Sequence, residues 1–582
     1  MIRKLFLQML WPQVLSAMTV MLCMLVDSIM IGQFLGVDAM SAYGLTTPVL
    51  LVFAALGSMI SAGVQVVCGK AVGTVDRKAT DACFSASVVL AAVISGLGLG
   101  LVLVFAEPLC TLLGAGAAGT SEPVFGMTKQ YLIGFILGAP AFISAQIMIP
   151  YLQMSGSRTR LVVAVAAMTV SDIVFDCLNV LLFHGGTFGM GLASSLSYYV
   201  AFVIGLGTFL KKDRLFHLRF QNGVAKTCLS ILRHGIPTVV NQISMVLLTF
   251  LLNKILIQVG QYRAVAAYSV ISTIGNISFS FGTGIGAVAL MLSSVFFADE
   301  DRNALKELVK TMAAYGAVLD FLVTVLVMTF AGFLVRLFVP EDPAAERMAT
   351  EGVRLFALCL VPSALNSAFK NYYQGIGRSK LTQVISVLQN FALAALYALI
   401  LSRFFGTTGV WLAFVFGEAT TFVLLTLLVW KRYGRVSISA EAYAMLPKGF
   451  GAAEEDCLEC TILSMSDVAA AASRTESFCR CRGQSPTAAK QVAVCVQEMT
   501  SNIVQYGFTS DTKPHSIFVR VVHRGNEQVI RIRDNCVEFD PVHYFELHRA
   551  DESHAGIRSV MAIVKDASYI HSLGLNILTL HL

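Results

Sequence analysis

A series of long apolar segments, separated by short polar ones, constrains the fold of this chain more than any other feature. The segments recur from Leu10 to Trp430, and each is close to the about 20 residues that a helix needs to cross the hydrocarbon core of a bilayer. Charged residues make up only 13% of the 582 residues, which is about half of their usual share in soluble domains. Most of the chain is therefore predicted to lie in a membrane.

We predict twelve membrane-spanning helices in this part of the chain, named spans 1 to 12 below. In chain order, they lie near residues 10–34, 46–69, 84–106, 127–150, 160–183, 188–210, 231–258, 265–297, 312–339, 350–374, 381–403 and 408–430. From about Glu454 onward, charged residues are dense and no apolar run is long enough to span a bilayer. The predicted fold class is thus an all-α polytopic membrane domain followed by a soluble domain, here called the tail.

Basic residues are concentrated in alternate loops, and this pattern predicts the orientation in the membrane. The loops after the even-numbered spans carry Lys70, Arg77, Lys78, Arg158, Arg160, Lys211, Lys212, Arg214, Arg219, Arg302, Lys306, Lys310, Arg378, Lys380, Lys431, Arg432 and Arg435. Because Lys- and Arg-rich loops stay on the cytoplasmic side, both termini are predicted to face the cytoplasm in a multi-pass protein of the inner (plasma) membrane. The net charge of +6 is spread over these loops, so no nucleic-acid partner is expected.

The sequence also contains an internal repeat of six spans. At an offset of 225 residues, Tyr43 pairs with Tyr268, Gly57 with Gly282, and Asp76-Arg77 with Asp301-Arg302; further on, Tyr151, Gln153 and Gly156 pair with Tyr372, Gln374 and Gly377. Two repeats with an even number of spans enter the membrane in the same direction, as in transporters whose two lobes enclose a central cavity. We therefore divide the chain into an N lobe (1–225), a C lobe (226–435), a linker (436–453) and the tail (454–582).

Several segments resemble one transporter family. The stretch from Leu25 to Gly32, followed by Ala42-Tyr43-Gly44-Leu45, is similar to the first span and loop of multidrug and toxic compound extrusion (MATE) transporters. Gly189 to Ala193 resembles the start of their sixth span. The resemblance covers about residues 1–435 and implies a secondary antiporter that exports organic cations or drugs in exchange for H⁺ or Na⁺.

Acidic residues inside spans are the candidate coupling-ion ligands, because a charge in the membrane is costly unless it faces water or a partner. Asp27 lies in span 1, and Asp172, Asp176 and Asn179 share one face of span 5. Asp27 and Asp176 are about equally far from the cytoplasmic starts of their helices, so they are predicted to meet at one height in the N lobe. Crowded carboxylates cannot all stay ionised in a low dielectric, so a proton or Na⁺ is expected among them.

The C lobe offers weaker candidates for an ion site. Predicted span 7 contains no acid, so we place the coupling site in the N lobe alone. Glu418 in span 12 and Asp320 in span 9 are secondary candidates, since a single buried acid is more often a structural residue.

The tail contains a helix and a strand that resemble a nucleotide-binding fold. Glu498 and Asn502 lie on one face of a predicted helix, and a later alternating strand ends in Asp534-Asn535. This order resembles the α/β gyrase, histidine-kinase and anti-sigma-factor kinase ATPase fold. The resemblance implies that Asn502 holds Mg²⁺, that Glu498 acts as a base, that Asp534 and Asn535 belong to the adenine end, and that Gly556 opens the second glycine segment.

The tail also departs from that family at glycine positions. Cys536, Glu538 and Arg558 stand where the family usually has Gly, and glycine is what lets the backbone approach a phosphate. ATP with Mg²⁺ is thus an expected but weak ligand of the tail, and transport itself is expected to need no cofactor. No Gly-x-x-x-x-Gly-Lys-[Ser/Thr] loop occurs in the sequence, so ATP-driven pumping of the ABC type is not expected.

Three functions remain open at this stage. The first is an ion-driven exporter embedded in membrane lipid, with the tail as a regulatory module that has a cytosolic protein partner. The second is a membrane-anchored receptor whose tail acts as an anti-sigma-factor-type kinase or binding module without meaningful flux. The third is a flippase for a lipid-linked substrate.

Overall fold

The computed structural model describes residues 1–115, 122–209, 215–219, 223–336, 343–433, 439–509, 512–525, 527–548 and 555–582. The predicted linker therefore lies partly outside the described residues. The membrane part is helical throughout, with helices at Ile2–Met30, Gly36–Gly73, Arg77–Val104, Ala106–Leu112, Glu122–Ile136, Ala139–Met154, Arg158–Leu178, Gly186–Phe209, Val224–Ala298, Arg302–Arg336, Pro343–Ala357, Leu360–Gly375, Ser379–Val387 and Leu393–Tyr433. Short π-helical turns occur at Ile31–Leu35, Asn179–Phe183 and Leu388–Ala392.

The structure supports the predicted polytopic fold and modifies two spans. In the described part of the chain, nine helices are long and apolar enough to cross a membrane, or up to eleven if each of two bent helix pairs is one span. The bent pairs are predicted spans 4 and 10, which are broken by 47° rather than continuous. Pro140 and Pro362 follow the two breaks, and proline cannot donate the backbone hydrogen bond that would continue the helix.

The longest apolar element, Ser379–Arg432, holds both predicted spans 11 and 12. Gly406 lies inside it with a φ of 60°, a left-handed conformation that glycine adopts without strain. Splitting the element at this break gives the twelve predicted spans. Spans 7 and 8 likewise share one helical run but are separate apolar segments, Val224–Gly260 and Arg263–Ala298.

Backbone conformation repeats between the lobes at the predicted offset. Val75 and Glu300, which are 225 residues apart, both have a positive φ, of 58° and 51°. The aspartate that follows each of them, Asp76 or Asp301, accepts a hydrogen bond from a backbone N–H in the first turn of the next helix, at 3.0 and 2.9 Å. We call these turns, residues 73–77 and 298–302, the paired turns.

The two lobes pack together on the side of the membrane domain where the tail lies, which we call the tail side. One apolar core there joins Phe6 and Val72 of the N lobe to Val295 and Tyr372 of the C lobe. Glycines allow this close approach: a methyl group on Gly63 would lie 2.1 Å from the carbonyl oxygen of Ile231. Span 1 contributes at the same level, because a methyl group on Gly284 would lie 2.6 Å from a side-chain carbon of Val14.

On the opposite side, the cores belong to single lobes. Ile31, Tyr43 and Tyr131 form one cluster within the N lobe. Leu252, Ile271, Trp411 and their neighbours form another within the C lobe. The lobes are thus joined at the tail side, and their far halves are packed separately.

The tail is a five-stranded antiparallel sheet covered by helices on one face. Its strands are β1 (Cys457–Ile462), β2 (Ile517–Arg524), β3 (Glu527–Asp534), β4 (Asp566–Ser572) and β5 (Leu575–His581), in the order β1-β2-β3-β5-β4. Its helices are Met465–Cys481, Pro486–Asn502, Pro541–Leu547 and Ala555–Ile563, with a π turn at Ile503–Gly507. Val519, Ile530 and Leu578 pack with the helices, whereas Ile570 and Ile577 belong to the core of the membrane domain. The sheet is therefore sandwiched between its own helices and the transporter.

Candidate functional site

The three predicted carboxylates meet inside the N lobe. Asp27, Asp172 and Asp176 are 7%, 2% and 0% exposed, and the side chains of Asp172 and Asp176 both interact with that of Asp27. Ser194 of span 6 donates a hydrogen bond to Asp27 Oδ2 at 3.2 Å. Spans 1 and 5 run in the same direction, and Asp27 and Asp176 lie at equal heights along them. This explains why two residues that are 149 positions apart in the sequence come together.

The carboxylates are incompletely satisfied. One oxygen of Asp27, one of Asp172 and both of Asp176 are buried without a hydrogen-bond donor. Within the described ranges, no Lys, Arg or His nitrogen lies within 4.0 Å of any of the three. Since an uncompensated buried charge is costly, this cluster must hold protons or another cation when it is stable.

Several neighbours of the cluster were not predicted from the sequence. Cys23 and Ser197 interact with the Asp172 side chain, and the hydroxyl groups of Tyr43, Tyr131 and Tyr198 lie within electrostatic range of the carboxylates. Of these, only Cys23 could have been found by helical periodicity, because it lies one turn before Asp27. Serine and tyrosine side chains are common in spans and carry no such signal.

Asn179 shares the helix face of the acids, but its amide is engaged elsewhere. Its Oδ1 accepts from the backbone N–H of Gly185 at 3.1 Å, and its Nδ2 donates to the carbonyl of Gly186 at 3.1 Å. The Asn179 amide therefore stabilises the turn between spans 5 and 6. These contacts do not support its predicted role in ion coupling.

The C lobe contains a different buried polar cluster. Glu418 Oε2 accepts from Asn366 Nδ2 at 2.8 Å, and Oε1 accepts from Gln389 Nε2 at 3.2 Å. The Gln389 carbonyl oxygen in turn accepts from Lys370 Nζ at 3.1 Å. Lys370 lies in span 10 and was not singled out from the sequence. Asp320, the other secondary candidate, is buried in span 9 with one oxygen unpartnered and lies in neither cluster.

In the tail, the predicted residues divide into two groups. A methyl group on Gly556 would lie 2.5 Å from Glu498 Oε2 and 3.6 Å from Asn502 Nδ2, so these three residues are adjacent. Asp534 Oδ1 accepts from the backbone N–H of Cys536 at 3.0 Å and from Asn576 Nδ2 at 2.8 Å. Burial raises the pKa of Asp534, although the hydrogen bond from Asn576 opposes this shift.

The residues predicted to bind nucleotide contact other groups of the tail. The Glu498 carboxylate lies next to Gly556, so a side chain at position 556 would clash with it. Asn535 is also engaged, since its Oδ1 accepts from the Ser516 N–H at 2.8 Å and its Nδ2 donates to the Pro514 carbonyl at 3.1 Å. Among the described residues, no group of three His, Cys, Asp or Glu side chains has the arrangement of a metal site.

An arginine row on the sheet docks the tail onto the C-lobe turn. Arg520 on β2 and Arg533 on β3 are 5% and 4% exposed. Arg533 donates to Asp301 Oδ2 at 3.1 Å and pairs with Asp299. Arg520 donates to the carbonyl of Glu300 at 3.1 Å. An alternating strand of this kind usually points its charged residues to water, so this interface could not be predicted from the strand pattern.

The same sheet also contacts the N lobe. Arg77 pairs with Asp540 at 2.7 Å, and Arg158 donates to the carbonyl of Leu573 at 2.6 Å. Arg531 contacts both lobes at once: it donates to the carbonyl of Gly73 at 3.0 Å and pairs with Asp299. Burial lowers the pKa of Arg531 to about 10, so the guanidinium stays charged at neutral pH.

Comparisons with known proteins agree with this architecture. A protein-family model described as MatE matches residues 12–178 and 237–400, and one described as a histidine kinase-like ATPase domain matches residues 463–582. A curated FAD transporter of Shewanella oneidensis is 25% identical over 220 residues, which are 37% of this chain and 47% of that protein. The chain thus matches about half the length of that relative.

Solved structures resemble the membrane domain in fold. A Vibrio cholerae MATE transporter, VcmN, has a TM-score of 0.69 at 18% identity, covering 76% of this chain and 98% of its own. An outward-facing multidrug resistance MATE transporter has a TM-score of 0.67 at 19% identity, covering 73% and 94%. A MOP-superfamily transporter from Pyrococcus furiosus has a TM-score of 0.67 at 19% identity, covering 76% and 97%.

Proposed function

Because this chain belongs to the MatE family of transporters, we propose that it exports an organic solute in exchange for a cation that binds among Asp27, Asp172 and Asp176. The observation that carries this proposal is the set of buried carboxylate oxygens without a donor. A site that must take up a cation to be neutral, and must release it on the other side, supplies the coupling that a secondary transporter needs.

We propose the proton as the coupling ion. Asp27 interacts directly with the Asp176 side chain, and two carboxyl groups in contact are stable in a low dielectric when they share a proton. Na⁺ is the alternative coupling ion, with carbonyl and hydroxyl oxygens as additional ligands.

Flux in proteoliposomes tests the coupling. We expect export of a loaded solute to follow an imposed proton gradient and to be insensitive to Na⁺ at constant pH. Flux that follows a Na⁺ gradient instead would show that Na⁺, and not the proton, is the coupling ion at the same site. Flux that follows neither gradient would contradict ion coupling, and the receptor or the lipid flippase would then become the better hypothesis.

Two substrate classes are proposed for this flux assay. The family resemblance implies organic cations or drugs, whereas the curated relative that matches part of the chain is named a FAD transporter and suggests a flavin nucleotide. A panel with one lipophilic cation and one flavin series separates the two classes.

We also propose that the tail side is the cytoplasmic side of the plasma membrane. The basic residues Arg77, Arg158 and Lys306 contact the tail, and loops rich in such residues remain in the cytoplasm. Under this proposal, the lobes that are joined at the tail side close the protein toward the cytoplasm.

For the tail, we propose a regulatory role as a clasp between the lobes. One sheet contacts both paired turns, and Arg531 contacts both lobes with a single side chain. Opening the cavity toward the tail side would move the paired turns apart, so the docked sheet must release at least one of them. Breaking a buried charged contact on one side is strongly unfavourable, so the docked tail favours the closed state.

Distance measurements test the clasp. Spin labels at Lys78 and Glu307, which are exposed on the two lobes beside the paired turns, report their separation. We expect Arg531→Ala, or deletion of residues 454–582, to produce a second population with a longer distance between the two labels. Transport should stay active or become faster. Arg480→Ala is the matched control, because Arg480 pairs with Glu476 on the tail's own helix. A distance distribution unchanged by the deletion would contradict the clasp.

The clasp needs no ATP hydrolysis. A nucleotide or protein partner that binds the tail can shift the lobes only by its difference in affinity for docked and released tails. We expect calorimetric titration of the full-length protein with MgATP to show weak binding or none. Tight binding together with ATP-dependent flux would contradict this view of the tail.

A further inference from the structure

Lys370 is a buried cation in span 10 without a direct counter-ion. It is 8% exposed, and its Nζ donates to Asn241 Oδ1 at 2.6 Å and to Gln389 Oε1 at 3.1 Å. Both acceptors are neutral amides, and within the described ranges no carboxylate oxygen lies within 4.0 Å of the ammonium. A charge in this position is costly, so its retention calls for an electrostatic partner.

Glu418 balances this charge only at a distance. The side chain of Gln389 stands between the two groups, accepting from Lys370 and donating to Glu418 Oε1 at 3.2 Å. An ammonium has three donors, and the protein uses two of them here. The network is also incompletely hydrogen-bonded at the Glu418 end, because Asn366 Oδ1 is buried without a partner.

The cluster contacts span 7, the helix that packs against the N lobe. Gly235 on span 7 contacts the N lobe, since a methyl group there would lie 2.1 Å from the carbonyl of Met59. Gln242, Val246 and Thr249 share the same helix face further along, and they are partly or fully exposed. Span 7 therefore contacts the N lobe at Gly235 and is accessible on the same helix face beyond it.

Asn241 places an amide donor next to Lys370. It is half-buried, and its Nδ2 has the Met245 sulfur at 3.8 Å as its hydrogen-bond partner, a weak acceptor. Asn390 lies next to it, and its Nδ2 donates to Asn241 Oδ1 at 2.7 Å and to the Ser386 carbonyl at 3.2 Å, so Asn390 holds the Asn241 amide in place. An ammonium beside an amide N–H group is a donor set that binds phosphate or carboxylate oxygens.

We infer that Lys370 and Asn241, with Asn241 held in place by Asn390, form a subsite for an anionic group, phosphate or carboxylate, on the organic substrate. The inference rests on the proposed export function and deepens it by giving the substrate a negative end that faces the C lobe. The carboxylates of the N lobe remain available for the coupling cation.

A matched flavin series tests this subsite in the full-length protein. Riboflavin has no anionic group, flavin mononucleotide adds a phosphate, and a carboxymethyl flavin adds a carboxylate. We expect Lys370→Met to raise KM for the anionic flavins by at least about tenfold, the effect of about 1.4 kcal/mol of lost interaction, while riboflavin is little changed. The anion whose KM changes more identifies the preferred group.

Two further variants keep the test decisive. Lys254→Met removes a lysine from the same lobe that lies over the Phe250 ring at 4.6 Å, and it should leave the preference for anions unchanged. Asn241→Asp supplies a carboxylate beside Lys370 from within the protein, so it should abolish the preference even if Lys370→Met does not fold.

The outcomes separate this inference from the proposed function. Equal changes of KM for riboflavin and the anionic flavins would show a structural role for Lys370 and overturn the subsite. If no flavin is exported under any gradient, equilibrium binding of the same flavins to the purified protein still measures the preference. Loss of that preference in Lys370→Met would support the subsite although export had failed, and its persistence would overturn it.

Discussion

The two lobes have similar backbone folds but bury different sets of charged side chains. The N lobe buries three carboxylates with no basic partner among the described residues. The C-lobe cluster contains one buried lysine and one buried glutamate, connected through the amide of Gln389. When its groups are ionised, the first cluster contains charges of one sign, whereas the second contains one charge of each sign.

This difference shows that the duplication preserved geometry and not polar chemistry. At the offset of 225 that pairs Tyr43 with Tyr268, Asp27 pairs with Leu252. The paired turns keep a left-handed backbone conformation at the same position and a capping aspartate after it in both lobes. Helix packing and capping depend on backbone shape and therefore persist, while an ion site depends on a few side chains that can change independently.

Neutralising the N-lobe carboxylates should have the largest effect. We expect Asp27→Asn and Asp176→Asn each to reduce gradient-driven flux to the level of empty liposomes while the protein stays folded and inserted, because each removes a proton-exchanging group from the site. Flux assays, with circular dichroism as the folding control, measure this. Wild-type rates of flux in both variants would contradict the proposal that the N-lobe carboxylates couple transport to the gradient.

Adding a methyl group where the lobes pack closely should have the next largest effect, which is on the fraction of the closed state. In Gly63→Ala, the new methyl group meets the Ile231 carbonyl at 2.1 Å, and such overpacking costs about 1–3 kcal/mol. We expect a lower fraction of the tail-side-closed state in the Lys78–Glu307 distance measurement. Gly96→Ala is the control, since no atom lies within 4 Å of its added methyl group; equal shifts in both would disprove the role of the contact.

The C-lobe charges should behave as a pair in stability measurements. Lys370→Met and Glu418→Gln each leave one buried charge less compensated, at a cost of about 1–3 kcal/mol. We expect the double variant to be more stable than the sum of the two single changes predicts, as measured by thermal unfolding in detergent. Strict additivity would mean that the two groups do not compensate each other.

In transport, Glu418→Gln should be milder than the N-lobe substitutions. The C-lobe network is neutral without an added cation, so loss of the carboxylate should lower the rate without abolishing its dependence on the gradient. Flux that no longer responds to the gradient would instead place a coupling residue in the C lobe.

The smallest effect is expected at Asp320. This acid lies apart from both clusters, and no donor reaches its Oδ2. We expect Asp320→Asn to stay within about twofold of wild-type flux, a difference of about 0.4 kcal/mol. A loss comparable to that in Asp27→Asn would reveal a second coupling site in span 9.

Much of the site could be predicted because it depends on helix geometry. Spacing along one helix placed Asp172 and Asp176 on a common face, and equal depth brought Asp27 to them. Lys370 escaped notice because a single basic residue near a helix end is usually drawn to the membrane surface. In the structure, its chain instead extends to Asn241 and Gln389, a contact that depends on how three helices pack.

The sequence by itself determined the membrane fold, the number of spans, the duplication and the acids of the N lobe. These follow from local rules, since hydropathy, helical period and the offset of a repeat are properties of the chain alone. Only the tertiary structure decided that the lobes meet on the tail side and that Arg531 joins them. Those contacts link residues hundreds of positions apart, and their energy arises from burial and charge pairing that no single segment contains.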